Sequence, residues 1–248
     1  MNTLLSCHGL TRVFGGLTAV DRATLDFALG EVHAVIGTNG AGKSTLINML
    51  SGEMPVSGGR IMLDGQDITR WPQPRRARAG IGRSYQRTTI FPEFTVLENC
   101  RLSAQAAHAR PWALWEAAAA CTGSVPIARR ALAAAGLAEV AASPAGSLSH
   151  GGKRQLEIAM CLATEPRVLL LDEPLAGMGS EETERMLALL ATLKAGHAIL
   201  LVEHDMDAVF RIADRITVMV NGQVIATDAP QAIRANPQVQ VAYLGEHG

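Results

Sequence analysis

An α/β fold with a mainly parallel core sheet is predicted by three observations. From residue 147 onward, short apolar runs alternate with helix-like stretches; a glycine-rich loop ending in Lys43-Ser44 follows the apolar run 32–36; and an alanine-rich interval over 96–142 holds no strand-like run. Strands joined through helices pair in parallel and are covered on both faces, so each reads as a continuous apolar stretch.

Taken in order, residues 23–29 and 32–36 are predicted as strands separated at Gly30-Glu31, and 43–50 as a helix. Residues 61–63 form a strand that ends in the tight-turn dipeptide Asp64-Gly65. Alanine dominates 116–120 and 131–135, which predicts several short helices punctuated by Pro111, Gly123, Pro126 and Gly136, an inserted helical subdomain over about 91–146. Ser149 precedes a helix near 152–164. Then follow a strand at 167–171, a helix at 181–194, a strand at 198–202, a helix at 205–213 and a strand at 216–220. Asn221-Gly222 turns into a last strand, 223–226. The sequence has no internal repeat and no low-complexity linker, so residues 1–248 are expected to form one domain, with 1–90 and 147–248 as its core.

Composition narrows the function classes. Charged residues are 18% and hydrophobic residues 48% of the 248, which excludes global disorder. Twenty-two Lys+Arg against 23 Asp+Glu give a net charge of −1, so the electrostatic footprint of a nucleic-acid binder is missing and no such partner is expected. Cys7, Cys100, Cys121 and Cys161 form no C-x-x-C pair, which suits a reducing compartment and no zinc module. No apolar run approaches the about 18 residues of a membrane span, and the N-terminus does not read as a secretion signal. A cytoplasmic location is expected.

Gly37-Thr38-Asn39-Gly40-Ala41-Gly42-Lys43-Ser44 fits G-x-x-x-x-G-K-[ST] in full, after a strand and before a helix. Glycines let backbone N–H groups turn around phosphate oxygens with no Cβ in the way, and the helix N-terminus adds partial positive charge. Lys43 would meet the β- and γ-phosphates, the Ser44 hydroxyl would ligate Mg²⁺, and Thr45 continues the nucleotide-binding run. A glycine-rich turn without a ligand is the bland alternative; the complete motif in its context argues against it.

Residues 168–171 are apolar and end in Asp172-Glu173. A strand running into a solvated acidic loop is the default for such a pattern. Downstream of a phosphate loop, Asp172 becomes a Mg²⁺ carboxylate and Glu173 the group that polarises the attacking water. His204 ends the next strand, at the sheet edge where ligands bind in parallel α/β folds, and reads as a γ-phosphate sensor. His8, His33, His108, His197 and His247 read as structural or surface residues.

The order of phosphate loop, Gln86, Leu148-Ser149-His150-Gly151-Gly152, Leu171-Asp172-Glu173-Pro174 and His204 resembles the ATP-binding subunit of ABC transporters over essentially the whole chain. The resemblance implies a P-loop NTPase fold with an N-terminal antiparallel β part, ATP and Mg²⁺ as ligands, and ATP hydrolysis coupled to transport. It implies that Phe14 stacks on adenine and that Gln86 links the metal site, as ligand and catalytic group, to the membrane partner. Ser149 and Gly151, in the signature loop, complete the ATP site of a second such ATPase subunit; on residue type alone Ser149 would be a helix N-cap.

Finer features resemble the ATPases of branched-chain amino acid importers: residues 14–20, 80–86, 156–159, 202–206 and the tail 233–245. Relatives carrying urea, short amides or aromatic acids share this type, so those cargoes stay open, as does a homo- or heterodimeric ATPase pair. The implied partners are transmembrane permease subunits and, indirectly, a substrate-binding protein, with the chain held on the inner face of the membrane. The alanine-rich interval, Gln86 and residues 88–93 form the expected permease face, with Phe91, Pro92 and Phe94 as apolar anchors or core residues. The rivals fit less well. A chromosome ATPase needs a long coiled coil, a ribosome factor two cassettes, and a kinase or GTPase would need neither 148–152 nor His204.

The chain departs from the family pattern in three places, at four positions: Thr38 in the phosphate loop, His150 and Gly152 in the signature loop, and Gly179 where an aspartate usually stands. Losing the glutamine amide at 152 removes a polar contact worth roughly 0.5–1.5 kcal/mol.

Overall fold

The computed structural model describes residues 3–85, 89–108 and 123–244. Its elements in order are β1 (Thr3–Phe14), β2 (Leu17–Ala28), β3 (Val32–Gly37), α1 (Lys43–Ser51), β4 (Gly58–Leu63), β5 (Gln66–Asp67), α2 (Gln73–Arg78), β6 (Ile81–Arg83) and α3 (Val96–His108). After these come α4 (Ser124–Ala134), α5 (His150–Leu162), β7 (Val168–Asp172), α6 (Ser180–Leu193), β8 (Ala198–Val202), α7 (Met206–Ile212), β9 (Arg215–Val220), β10 (Gln223–Asp228), α8 (Pro230–Ala235) and α9 (Pro237–Leu244). One sheet has the order β2-β1-β4-β5 with antiparallel pairing; the other has the order β10-β9-β3-β8-β7-β6, parallel except at β9–β10.

The parallel strands are buried on both faces, and the two faces feed different cores. Val168 and Leu170 of β7 and Ala198, Leu200 and Val202 of β8 join Leu46, Ile47 and Leu50 of α1 and Leu5, Leu10 and Phe27 of the antiparallel sheet. Leu169, Leu171, Ile199 and Leu201 face the other way, onto Leu156 of α5, Leu190 of α6 and the small residues of α3 and α4. Phosphate-loop helix α1 is therefore enclosed between the two sheets. The chain leaves for α3 and returns toward α5 through a laced neck: Ala145 N–H donates to Phe94 O, Gly146 to Pro92 O, and Val96 to Ser143 O.

Several elements differ from the sequence expectation. β1 carries no clean alternation because bulges shift its register against β2, and β2 starts at Leu17, well before residue 23. α2 and the three-residue β6 were not expected; both are too short to show a period. Gln86 and residues 109–122, with Pro111 and Cys121, lie outside the described residues.

Arg76 of α2 explains why that short helix matters. It is 2% exposed, and its guanidinium donates to Met49 O, Leu50 O, Thr69 O and Trp71 O at 2.7–3.0 Å. Met49 and Leu50 belong to the last turn of α1, where carbonyls lack intrahelical partners and a cation is favoured. Arg76→Ala is expected to cost roughly 2–4 kcal/mol, read as a fall in Tm on the order of 10 °C.

His33 of β3 ties the layers together. One ring nitrogen pairs with Asp26 O of β2 at 3.1 Å and the other with Thr217 Oγ1 of β9 at 2.7 Å. Burial, aided by the Arg215 charge, pushes its pKa from the ordinary 6.5 down to about 4. Between those values the unfolded chain binds a proton that the folded chain does not, so the His33 contribution is complete above pH 6.5 and drains away toward pH 4. Urea-unfolding stability should therefore fall with acidification over that window, with a shallower slope in His33→Gln. An unchanged slope would remove His33 as the source.

Candidate active site

The phosphate loop is shaped by what its glycines touch. A Cβ at Gly37 would lie 2.2 Å from Met219 O, and one at Gly42, where φ is 99°, would lie 2.3 Å from Ala19 O. Ala41 O in turn accepts from Gly222 N–H at 3.1 Å. The loop is thus wedged between β2 and the β9–β10 turn, leaving room for backbone only. Ser44 opens the first turn of α1, which has no acidic residue and no side-chain cap, so its amides present donors to an anion. Thr38, Asn39, Gly40 and Thr45 are at least partly exposed around it.

Lys43 is 7% exposed, and its ammonium bends back onto the loop, donating to Gly37 O at 2.6 Å and Thr38 O at 3.0 Å. Burial lowers its pKa from 10.5, while the nearby Glu173 and Asp172 charges oppose that shift. The sheet order makes this meeting unavoidable: β3 carries the loop, β8 is its neighbour, and β7 lies beyond β8.

Asp172, at the end of β7, is 3% exposed and has Arg83 Nη2 at 4.0 Å. Arg83 is anchored by Ser51 Oγ and Asn48 Oδ1 of α1 and pairs with the Glu53 carboxylate, so the cation beside Asp172 is fixed but shared with a second acid. Glu173 follows in a left-handed conformation, φ 50°, which costs a non-glycine residue energy and is characteristic of functional turns. Its N–H donates to Val202 O at 2.9 Å. His204 stands beside it, Nδ1 lying 4.0 Å from Glu173 Oε1 and 3.8 Å from Glu203 Oε2. The His204 side chain is 61% exposed and the Glu173 side chain 30%, so both are open to a ligand.

Ser149 caps α5: its Oγ accepts from Gly152 N–H at 3.1 Å. The same hydroxyl donates to Glu182 Oε1 at 2.8 Å, and Gly151 N–H donates to that oxygen at 3.1 Å. These donors, Ser149 first, hold the Glu182 carboxyl below its usual range. Two donors converging on one carboxylate oxygen demonstrate that this loop end accepts an anion. His150 Nε2 lies 3.0 Å from Ala176 O, joining the loop to the segment that follows Glu173.

The residues flanking Gln86 are gripped by α5. Arg154 Nη1 donates to Tyr85 O at 3.0 Å, Glu157 Oε1 accepts from Thr89 N–H at 3.1 Å, and the two side chains pair at 2.9 Å in a buried bridge. Phe14 ends β1 with its ring 41% exposed and the Arg12 guanidinium 4.5 Å from its centroid. Phe91 and Phe94 are 52% and 42% exposed and stack at 5.4 Å, so they are not core residues.

The comparisons with known proteins bear on this arrangement. Residues 20–176 match the family described as ABC transporter, and residues 223–248 match the family described as branched-chain amino acid ATP-binding cassette transporter. The chain belongs to the ABC transporter ATP-binding cassette family. It is 41% identical to the high-affinity branched-chain amino acid transport ATP-binding protein BraF of Pseudomonas aeruginosa, and 41% identical to LivG of Escherichia coli K12, over 98% of both chains in each case. A nucleotide-free cassette from an ABC transporter superposes with a TM-score of 0.86 at 29% identity, covering 97% of this chain and 98% of that one. The ADP conformation of an ABC transporter cassette superposes equally well, at 29% identity over 99% and 100% of the two chains.

Read as a cassette, the structure brings Lys43, Asp172, Glu173 and His204 to one sheet edge and gathers Ser149 and Gly151 around Glu182. Sequence reasoning missed Arg83, Arg154, Glu157, Glu182 and Glu203. Arg154 and Glu157 carried a signal, opposite charges three apart on a predicted helix; Arg83 lay within the 80–86 stretch, with nothing to mark its contact to Asp172. The wedge at Gly42 yields a test. Gly42→Ala is expected to weaken ATP binding at least tenfold in a fluorescent-nucleotide titration. Gly40→Ala, which shares the left-handed backbone strain at φ 80° but whose Cβ meets nothing within 4 Å, should lose less.

Proposed function

We propose that the chain is the ATP-hydrolysing subunit of an importer for branched-chain amino acids or related small polar solutes. It works with a second ATPase subunit and transmembrane permease subunits, which hold it on the inner face of the membrane. A substrate-binding protein would deliver cargo. No helix among the described residues is long and apolar enough to cross a membrane; in this reading the translocation path belongs to the permease subunits. The near-full-length 41% identity to BraF and LivG supports the cargo class, and the laced neck at 92–97 and 141–146 supports reading 91–146 as a subdomain within one 1–248 domain.

The observation that carries the chemistry is the juxtaposition of Lys43, Asp172 and Glu173. Among the described residues no cluster of three or more His, Cys, Asp or Glu could cage a cation. A Mg²⁺ ion here would therefore rest on the Ser44 hydroxyl, the Asp172 carboxylate, Gln86 and phosphate oxygens, a donor set that suits a hard ion bound with its nucleotide. Bound there, it would neutralise charge on the β- and γ-phosphates. Lys43 exchanges its two carbonyl partners for phosphate oxygens as ATP enters, and Phe14 offers its open ring face to adenine. Glu173 takes the proton as water attacks the γ-phosphorus and the bond to the β-phosphate breaks, with His204 at the γ-phosphate. Ser149 and Gly151 serve the second subunit's ATP in the same way.

Replacing a general base costs about 10²–10⁴ in rate. Glu173→Gln should lose turnover on that scale while keeping ATP affinity. Light scattering after gel filtration should show its mass doubling with Mg·ATP, alone or when the partner ATPase is added. Turnover near the native rate would rule Glu173 out as the base.

A further inference from the structure

Glu203 is a carboxylate with no contact to solvent, immediately before His204 and one strand away from Glu173. Its two oxygens are divided between two turns. Oε1 accepts from Leu175 N–H at 2.7 Å, and Oε2 accepts from His204 N–H at 3.2 Å. Leu175 lies two residues beyond Glu173, within the turn that holds Glu173 at φ 50°. The fastenings of that turn include Glu173 N–H to Val202 O, Ala176 N–H to Glu173 O, and Leu175 N–H to the Glu203 side chain. The last is made by a side chain that also reaches the backbone of His204; the His150 ring, at 3.0 Å from Ala176 O, adds a side-chain contact from the signature loop. A buried carboxylate is costly, and burial pushes the pKa of this one up against the two amides that favour its charge. An apolar residue would fill the space at lower cost but would leave the buried Leu175 N–H and the partly buried His204 N–H without this acceptor.

We infer that Glu203 is a positioning residue for ATP hydrolysis, latching the strained turn that carries Glu173 to the backbone of His204 so that base and sensor keep one fixed separation. This rests on the reading of Glu173 as the base and His204 as the γ-phosphate sensor. Glu203 itself is sealed from water with both oxygens engaged, so it does not act on the nucleotide. The carboxylate suits the task because it only accepts: glutamine has the same length but would turn an NH₂ toward one of the two N–H donors. Aspartate keeps the charge but is one methylene short of spanning both turns.

The experiment measures ATP affinity, kcat and Tm for Glu203→Gln and Glu203→Asp beside Glu173→Gln. A displacement of about 1 Å in a catalytic group can cost on the order of 10²-fold in rate. Both Glu203 variants should therefore lose tenfold or more in kcat, with ATP affinity unchanged within twofold, because the phosphate loop makes no contact through Glu203. Native kcat in both variants, or kcat and affinity falling together in proportion to lost folded protein, overturns the latch. If Glu173→Gln keeps native turnover, the underlying assignment fails first, whatever the Glu203 variants do. Should neither variant fold, hydrogen exchange on the native protein decides: Leu175 and His204 amides protected together support the latch, and rapid exchange at either overturns it.

Discussion

Strands β3, β8 and β7 are buried along their whole length, so the polar groups of the site gather beyond the carboxyl edge of the sheet. That constraint organises the molecule. Asp172 ends β7, Glu173 follows it, Glu203 and His204 follow β8, and Lys43 lies across the loop from β3; their proximity is set by parallel register, Asp172 opposite Val202 and Val35 opposite Val202 in turn. A concentration of buried charge of this kind needs compensation nearby. Arg83 faces Asp172, Lys43 sits on two carbonyls, and Glu203 is satisfied by two amides. The left-handed backbone at Glu173 persists because these neighbours hold the turn from several sides.

What could be read from the sequence follows the same logic. The apolar runs of β7 and β8 and the phosphate loop are local signals, and their strands and helices agree with the structure within a few residues. Legibility failed where structure depends on partners distant in sequence. β1 has its alternation broken by bulges that only its pairing with β2 reveals. α2 is a six-residue helix whose reason for being is Arg76, a side chain that reaches back to carbonyls 26 and 27 residues earlier. Glu203 was visible as a letter beside His204, but its meaning lies in Leu175, on another strand's turn.

Helix α5 shows how one element serves two sites. Its N-terminus presents Ser149 and Gly151 to a carboxylate, while Arg154 and Glu157, less than two turns further on, hold the backbone on either side of the segment containing Gln86. An ion pair this well buried, 10% and 5% exposed at its two side chains, is weak support for stability as such, since desolvation offsets most of the attraction. Its hydrogen bonds to Tyr85 and Thr89 give it a geometric role instead. Any rigid movement of α5 carries both ends of that segment with it.

The departures at 150, 152 and 179 acquire a shared explanation from Glu182. Gly179 is the N-cap of α6 and offers no side chain, but Glu182, three residues on, takes its N–H in the reciprocal half of a capping box. The same carboxylate receives the Ser149 hydroxyl and the Gly151 amide. Glu182 thus makes a tie from the start of α6 to the signature loop. His150 adds a second strand to it through Ala176 O, a contact glycine at 150 would lack. Gly152 needs no amide side chain in this arrangement, because its own N–H closes the cap on Ser149 and leaves that hydroxyl's proton pointed at an anion. That anion is Glu182, which receives both the Ser149 hydroxyl and the Gly151 amide.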